Sequence, residues 1–310
     1  MTKVKRLTLR GIRMSKESWN EFAAYYLPKV EACLQDYLSK LAAYPRLKEA
    51  MMYSVNAGGK RIRPLLVLAV IKTLNGQLNQ ASLQVAASLE LIHTYSLIHD
   101  DLPEMDNDEL RRGKPTNHKK FGQAIAVLAG DGLLTTSFEW LSLTDIDNDK
   151  KIKLISQLAL AAGPQGMVSG QTDDILGENK KYNLEELKHL HAGKTGALLR
   201  YACIAGGILS DASDKQLELL RKYGENFGLA FQIYDDLLDV IGDAKSLGKN
   251  VHKDEIENKN TYPILLGVQG TKEALVEVLN NTENLLKEMA NNDIAIDLFE
   301  QLLDYFKVRK

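Results

Sequence analysis

Apolar residues recur at three- and four-residue spacing along almost the whole chain, the period that gives a helix one buried stripe. Read this way, the pattern predicts helices over about 18–40, 46–57, 62–75, 81–101, 120–142, 150–162, 184–190, 195–208, 214–241, 261–269, 271–291 and 294–306. The apolar–polar alternation that marks a half-buried strand is nearly absent. The predicted fold is therefore all-α, with the helices packed as a bundle. Pro103 stops the 81–101 segment just after Asp101, because proline cannot donate to the helical ladder.

Composition adds limits. The 310 residues show no break: the seven prolines fall mostly between apolar runs, and there is no Gly/Ser linker, low-complexity tract or internal repeat. Residues 15–310 are expected to form one domain. Residues 1–14 carry Lys3, Lys5, Arg6, Arg10 and Arg13 without a signal-peptide apolar core, and are read as an extension outside the fold. A net charge of −2 argues against a nucleic-acid binder. No apolar run reaches the roughly 18 residues of a membrane span. Cys33 and Cys203 lie far apart without a CxxC pattern, so two buried core thiols in a reducing compartment are expected, and the location expected is cytoplasmic.

The candidate chemistry sits in two carboxylate clusters. The first runs Asp100-Asp101-Leu-Pro-Glu-Met-Asp106-Asn-Asp108, the second Asp235-Asp236-Leu-Leu-Asp239. The first straddles a predicted helix C-terminus, where the helix dipole disfavours negative charge. In the second, Asp235 and Asp239 stand one turn apart on the same face, an i, i+4 like-charge pair. Apolar neighbours such as Phe231, Ile233 and Leu237 speak against a solvated acidic face. Both arrangements become reasonable around a divalent cation. Oxygen donors without accompanying Cys and with little His point to Mg²⁺, which shares its shell with phosphate oxygens.

Positive groups complement them. Gly58-Gly59-Lys60-Arg61-Ile-Arg63-Pro64 is a glycine-led basic loop entering a helix, and Arg111-Arg112-Gly113-Lys114 follows the first acidic cluster at once. Lysine and arginine bind phosphate oxygens, arginine often through two bonds. Lys194-Thr195-Gly196 opens another apolar helix but lacks the strand and spacing of a P-loop. Lys249, Lys253 and Lys259 follow the second cluster. His93 shares a helix stripe with Glu90, Leu97 and Asp100; on the residues alone it is open whether it binds a ligand or fills the core. Acidic clusters with Mg²⁺ would hold one polyphosphate and a separate basic set another, on a scaffold with room for apolar tails. Two acidic stretches carry no site. Asp145-x-Asp147-Asn148-Asp149 begins like a calcium loop but has Lys150 where glycine is needed, and Asp173-Asp174 lacks a third carboxylate at the needed spacing.

Taken together, Gly58–Pro64, Leu91–Pro103, Met105–Asp108, Leu110–Thr116, Gly170-Gln171-x-x-Asp174, Lys194–Gly196 and Phe231–Asp239 resemble, in order, the motifs of the trans-isoprenyl diphosphate synthases, in particular their bacterial farnesyl-product members. The resemblance runs from about residue 20 to the C-terminus. It implies a helical bundle around a deep central cavity and a chain-elongating prenyltransferase that joins isopentenyl diphosphate to an allylic diphosphate. It implies a homodimer and about three Mg²⁺ ions, held by Asp100, Asp106, Asp235 and Asp239 with Asp101, Asp236, Gln171 and Asp174 in support. Arg111, Lys194, Lys249 and Lys259 would contact the allylic diphosphate; Lys60, Arg63, His93 and Arg112, with Arg61 near, would hold isopentenyl diphosphate. Thr195 and Gln232 would face the carbocation. Tyr95, about 7.5 Å down the helix from Asp100, would floor the tail cavity where Ser96 cannot, which goes with a fifteen-carbon product. Tyr234 departs from the basic or polar residue frequent before Asp235. Geranyl or geranylgeranyl diphosphate synthesis, a terpene cyclase, and a non-catalytic synthase subunit are the competing expectations. The second basic site argues against a cyclase, and two intact acidic motifs argue against a subunit.

Overall fold

The computed structural model describes residues 17–178, 180–241 and 259–306. The extension expected at residues 1–14 lies outside them. Helix α1 (Trp19–Lys40) opens on a reciprocal cap in which Glu21 N donates to Ser18 Oγ and Ser18 N to the Glu21 carboxylate. After α2 (Pro45–Val55), helices α3 (Ile62–Thr73) and α4 (Gln80–Asp100) are apolar nearly all round and buried on most faces. Next come α5 (Asn117–Phe121), α6 (Gln123–Leu143), α7 (Asn148–Ala162), α8 (Met167–Gly177) and α9 (Leu184–His191). One wide π-helical turn (Ala192–Gly196) leads into α10 (Ala197–Leu209). The chain ends with α11 (Asp214–Ile241), α12 (Tyr262–Ala290), α13 (Asp297–Leu303) and a 3₁₀ turn (Asp304–Phe306). Helices α3, α4 and α10 pack against one another at the centre, with α1, α6, α7 and α11 around them. The fold is all-α, as the periodicity predicts.

Four elements differ from expectation. The predicted helix 120–142 is two helices meeting at Gly122, whose φ of 90° no α-helix accommodates. The break expected at residue 270 falls at Gly267 (φ 69°), inside one helical run. A hairpin, β1 (Leu110–Arg111) and β2 (Lys114–Pro115), turns through Arg112 (φ 54°) and Gly113 (φ 75°); paired positive φ values give the turn that matches strand twist. Helix α8 was not expected, because Gly166, Gly170 and its polar residues obscure the apolar period.

Cys33 and Cys203 are both buried and reduced, and burial pushes the Cys33 thiol up to about 11. Asp147 caps α7 by accepting from Asp149 N (2.8 Å), so that acidic stretch is a helix cap. Among the described residues no helix is long and apolar enough to cross a membrane.

Candidate active site

Asp100 is the last residue of α4 and Asp101 its C-cap. The loop beyond folds back, with Asp106 N donating to the Asp100 carbonyl (2.8 Å), which returns a third carboxylate to the helix end. Burial and neighbouring carboxylates push Asp100 and Asp101 up to about 6, burial contributing most in each. Positive charge is drawn in to answer them. Arg111 donates to Asp101 through Nε (2.7 Å) and Nη2 (2.5 Å) and reaches Asp108 (3.3 Å), while Lys259 donates to Asp106 (3.0 Å).

The hairpin divides its two arginines. Arg111 turns toward the carboxylates, whereas Arg112, on the turn, donates to the Gly58 carbonyl. Its guanidinium lies where a Cβ on Gly59 would sit, so only glycine admits it. Arg112 thereby joins Lys60, Arg61, Arg63, His93 and Glu90 around a cavity of about 400 Å³. Arg63 Nη1 lies 3.3 Å from His93 Nε2. A guanidinium can only donate, so this nitrogen of His93 is unprotonated. Desolvation, and then the surrounding arginines led by Arg63, hold His93 well below its ordinary pKa.

On the opposite wall two close backbone approaches assemble the remaining groups. A Cβ on Gly170 of α8 would lie 2.0 Å from Lys194 N, and one on Gly228 of α11 would lie 2.8 Å from Gly196 Cα. With neither present, Lys194 Nζ reaches Asp174 (2.6 Å), and Thr195 Oγ1 donates to Gln232 Oε1 (2.9 Å). Gln232 in turn donates to Asp236 Oδ1 (2.8 Å), and Asp236 Oδ2 accepts from Tyr262 N (3.0 Å). The second acidic motif is thus tied to the Lys194–Thr195 turn. Lys194 is in turn the strongest positive influence on Asp100. Asp236 and Asp239 are buried, and Asp235 is half-buried.

A second cavity, about 410 Å³, adjoins the basic one, since Arg63 and His93 line both. Asp100, Lys194, Thr195 and Gln171 stand in its wall with Met105, Met167, Val168, Ile175 and Leu198. Tyr95 and Ser96 both line it. The Tyr95 ring is braced edge-on by His99 (centroids 5.7 Å, 80°), whose Nε2 lies 3.0 Å from the Val127 carbonyl. Gln171 Nε2 is buried and has no partner among the described residues.

Of the predicted residues, Lys60, Arg61, Arg63, His93 and Arg112 line the basic cavity and Tyr95, Ser96, Asp100, Gln171, Lys194 and Thr195 the other, whereas Asp106, Arg111, Asp235, Asp239 and Lys259 stand in neither wall. Lys249 lies outside the described residues. Asp174, set aside as a metal ligand in the Asp173-Asp174 pair, holds Lys194. Arg61 lines the basic cavity, but its guanidinium is turned onto Glu90 (2.7 Å) and the Val55 carbonyl (2.5 Å). Tyr234, unexplained by sequence, packs edge-on against Tyr305 (5.6 Å) and Phe306 (5.8 Å), anchoring the C-terminal turn to α11. Sequence reading missed Tyr305, whose hydroxyl accepts from Lys60 (2.5 Å); nothing in the local pattern around it signals a site.

Among the described residues no three His, Cys, Asp or Glu side chains already converge as a metal cage. The donors nevertheless suit a hard divalent cation. They are carboxylates, two of them are raised by burial, and a lysine ammonium stands in as counter-charge on Asp106.

Asp100 of the first acidic motif stands in the wall of a largely apolar cavity that adjoins a basic one, and the second motif is tied to that wall through Asp236, Gln232 and Thr195; residues 44–297 match the polyprenyl synthetase family. The chain belongs to that family. It is 49% identical over 267 residues to the farnesyl diphosphate synthase of Geobacillus stearothermophilus, covering 84% of this chain and 89% of that one. It is 44% identical over 283 residues to the farnesyl diphosphate synthase of Bacillus subtilis, covering 90% and 94%. It superposes on a geranyltransferase from Helicobacter pylori, solved with magnesium and isoprenyl diphosphate, with a TM-score of 0.82 and 36% identity over 93% of this chain and 98% of that one.

Proposed function

We infer that this chain is a short-chain trans-prenyltransferase that condenses isopentenyl diphosphate with dimethylallyl or geranyl diphosphate to give farnesyl diphosphate. The observation that carries this reading is the adjacency of the two cavities, which meet at Arg63 and His93. One presents lysine and arginine; the other has Asp100 and Lys194 in its wall and apolar side chains with Tyr95 beyond. A terpene cyclase has one diphosphate to bind and no use for the basic cavity.

In this reading Asp100, Asp106, Asp235 and Asp239 hold Mg²⁺, about three ions with diphosphate bound. When bound, the metal supplies positive charge to the departing diphosphate. Lys194, Arg111, Lys249 and Lys259 add theirs from the protein, so the allylic C–O bond breaks with its electron pair going to the diphosphate. Lys60, Arg63, His93 and Arg112 orient the second diphosphate so that the isopentenyl double bond faces C1 of the allylic cation. Thr195 donates its proton to Gln232, which leaves its lone pairs to face the cation, and Asp236 fixes Gln232 in that orientation. The new C–C bond forms, and loss of a proton to the released diphosphate restores a double bond. The apolar wall keeps water from the cation. Tyr95 ends the growing tail at fifteen carbons. A homodimer is part of the same proposal.

The test is a product assay. Protein, Mg²⁺, labelled isopentenyl diphosphate and dimethylallyl diphosphate are incubated, and the prenyl chains are sized. A fifteen-carbon product supports the reading. Twenty-carbon chains keep the reaction and move the chain to geranylgeranyl synthesis. Folded protein that elongates nothing overturns it.

A further inference from the structure

The basic cavity contains a carboxylate. Glu90 lines it among Lys60, Arg61, Arg63, His93 and Arg112, and is only 2% exposed. A buried negative charge works against a diphosphate unless it holds something the site needs. Glu90 Oε1 accepts from Arg61 Nη1 (2.7 Å), and both side chains are 2% exposed. Arg61 Nη2 donates to the Val55 carbonyl at the end of α2, and Glu31 of α1 lies 3.8 Å from its Nε. One guanidinium thus touches α1, α2 and α4.

Its backbone points the same way. Arg61 immediately precedes α3 with φ 47° and ψ 37°, a left-handed conformation that is costly for a residue with a Cβ. Tertiary contacts must hold it there. Arg61 also lines a third, smaller cavity on the far side of the loop, with Glu31, Leu34, Gln35, Asn56 and Gly58. Its side chain therefore lies in the partition behind the basic wall. Lys60 and Arg63 flank it in sequence, and His93 stands one turn beyond Glu90 on α4.

We propose that Arg61 is the positioning residue of the basic cavity, clamped by Glu90, and that it does not itself contact the diphosphate. The pair fixes the left-handed turn and so sets Lys60 and Arg63 against His93. The inference rests on the reading of this cavity as the isopentenyl diphosphate site.

The experiment compares wild type, Arg61→Met, Glu90→Leu, the double variant and Glu90→Gln, measuring KM for each substrate, kcat and Tm. Arg61→Met strands a buried carboxylate, so Tm falls by about 10 °C and KM for isopentenyl diphosphate rises about tenfold or more. The double variant replaces the buried ion pair by apolar side chains of similar volume whose packing against each other holds the turn in its place, so Tm recovers and that KM returns to within about threefold of wild type. KM for the allylic substrate stays within about twofold throughout, because neither residue lines the second cavity. A double variant that recovers Tm but keeps the tenfold KM defect overturns the proposal, since no change at Glu90 can replace a lost diphosphate contact. Glu90→Gln decides by sign, even if the other variants fail to fold. Loosening the clamp raises KM for isopentenyl diphosphate, whereas a Glu90 that served only as unfavourable charge would lower it on removal and sink the idea. A wild type without turnover would instead overturn the underlying function.

Discussion

Lys194 Nζ lies 2.6 Å from Asp174 Oδ2, a contact made possible because Gly170 lets α8 approach the backbone of the Lys194 turn. Asp174 therefore aims the lysine as well as neutralising it, and Lys194 is also the first positive influence on Asp100. Lys194→Gln should lower kcat by about 10²-fold, the usual cost of removing one positioned charge from a developing anion. Asp174→Asn should cost less, about tenfold, because the lysine remains but is no longer aimed. Steady-state kinetics with geranyl diphosphate check the ranking; an Asp174→Asn defect larger than that of Lys194→Gln would defeat it.

Tyr95 bounds the apolar cavity with its ring edge against His99. Tyr95→Ala removes the ring and opens space down α4 beyond the expected tail length. The expected result is a shift of most product from fifteen to twenty carbons or more, with turnover retained. Chromatography of the dephosphorylated alcohols measures it, and unchanged fifteen-carbon output would remove Tyr95 as the floor.

Much of this site was legible in the sequence because the motifs that build it are local. Asp100 to Asp106, Lys60 to Arg63, and Asp235 to Asp239 are each fixed by a few adjacent residues, and helical periodicity places them. What could not be read was set by contacts between distant segments. Asp174 could not be assigned to Lys194 without knowing that Gly170 brings α8 against that turn. Arg61 looks in sequence like another phosphate ligand, and only the fold reveals Glu90 beside it. Tyr234 looks like a departure near the acidic motif until Tyr305 and Phe306 return from the C-terminus to meet it. Helix α8 was missed because the glycines that permit close packing also weaken the periodic signal.

His93 makes stability depend on pH. Its folded-state pKa is held below the unfolded value of about 6.5 by desolvation and the surrounding arginines. Below about pH 6.5 the unfolded chain takes up a proton that the folded chain refuses, so stability falls as pH falls, by at most ~1.4 kcal/mol per pH unit from this group. Above that value both states are neutral at His93 and the contribution is flat. Thermal melts of wild type and His93→Asn between pH 5 and 8 should run parallel at high pH and differ in slope at low pH, with wild type the steeper. Curves parallel over the whole range would mean that His93 takes up its proton equally in the folded and unfolded states.

Asp100 and Asp101 predict how metal and diphosphate act together. Buried carboxylates without a cation are costly; Arg111 on Asp101, and Lys259 on the neighbouring Asp106, already answer part of the charge. Mg²⁺ alone must compete with these cations for a site lacking most of its oxygen donors, so it should raise Tm little. Mg²⁺ together with inorganic diphosphate brings both the charge and the missing donors. At about 100-fold over the apparent Kd, binding to the folded state contributes about 2.7 kcal/mol, several degrees in Tm for a chain of this size. Diphosphate in EDTA should give a much smaller shift, through the basic residues alone. Differential scanning fluorimetry across the four conditions tests the coupling. Asp235→Asn should abolish most of the joint shift while leaving the diphosphate-only shift in place. Equal shifts with and without Mg²⁺ would show that diphosphate is held by the lysines and arginines without the acidic motifs.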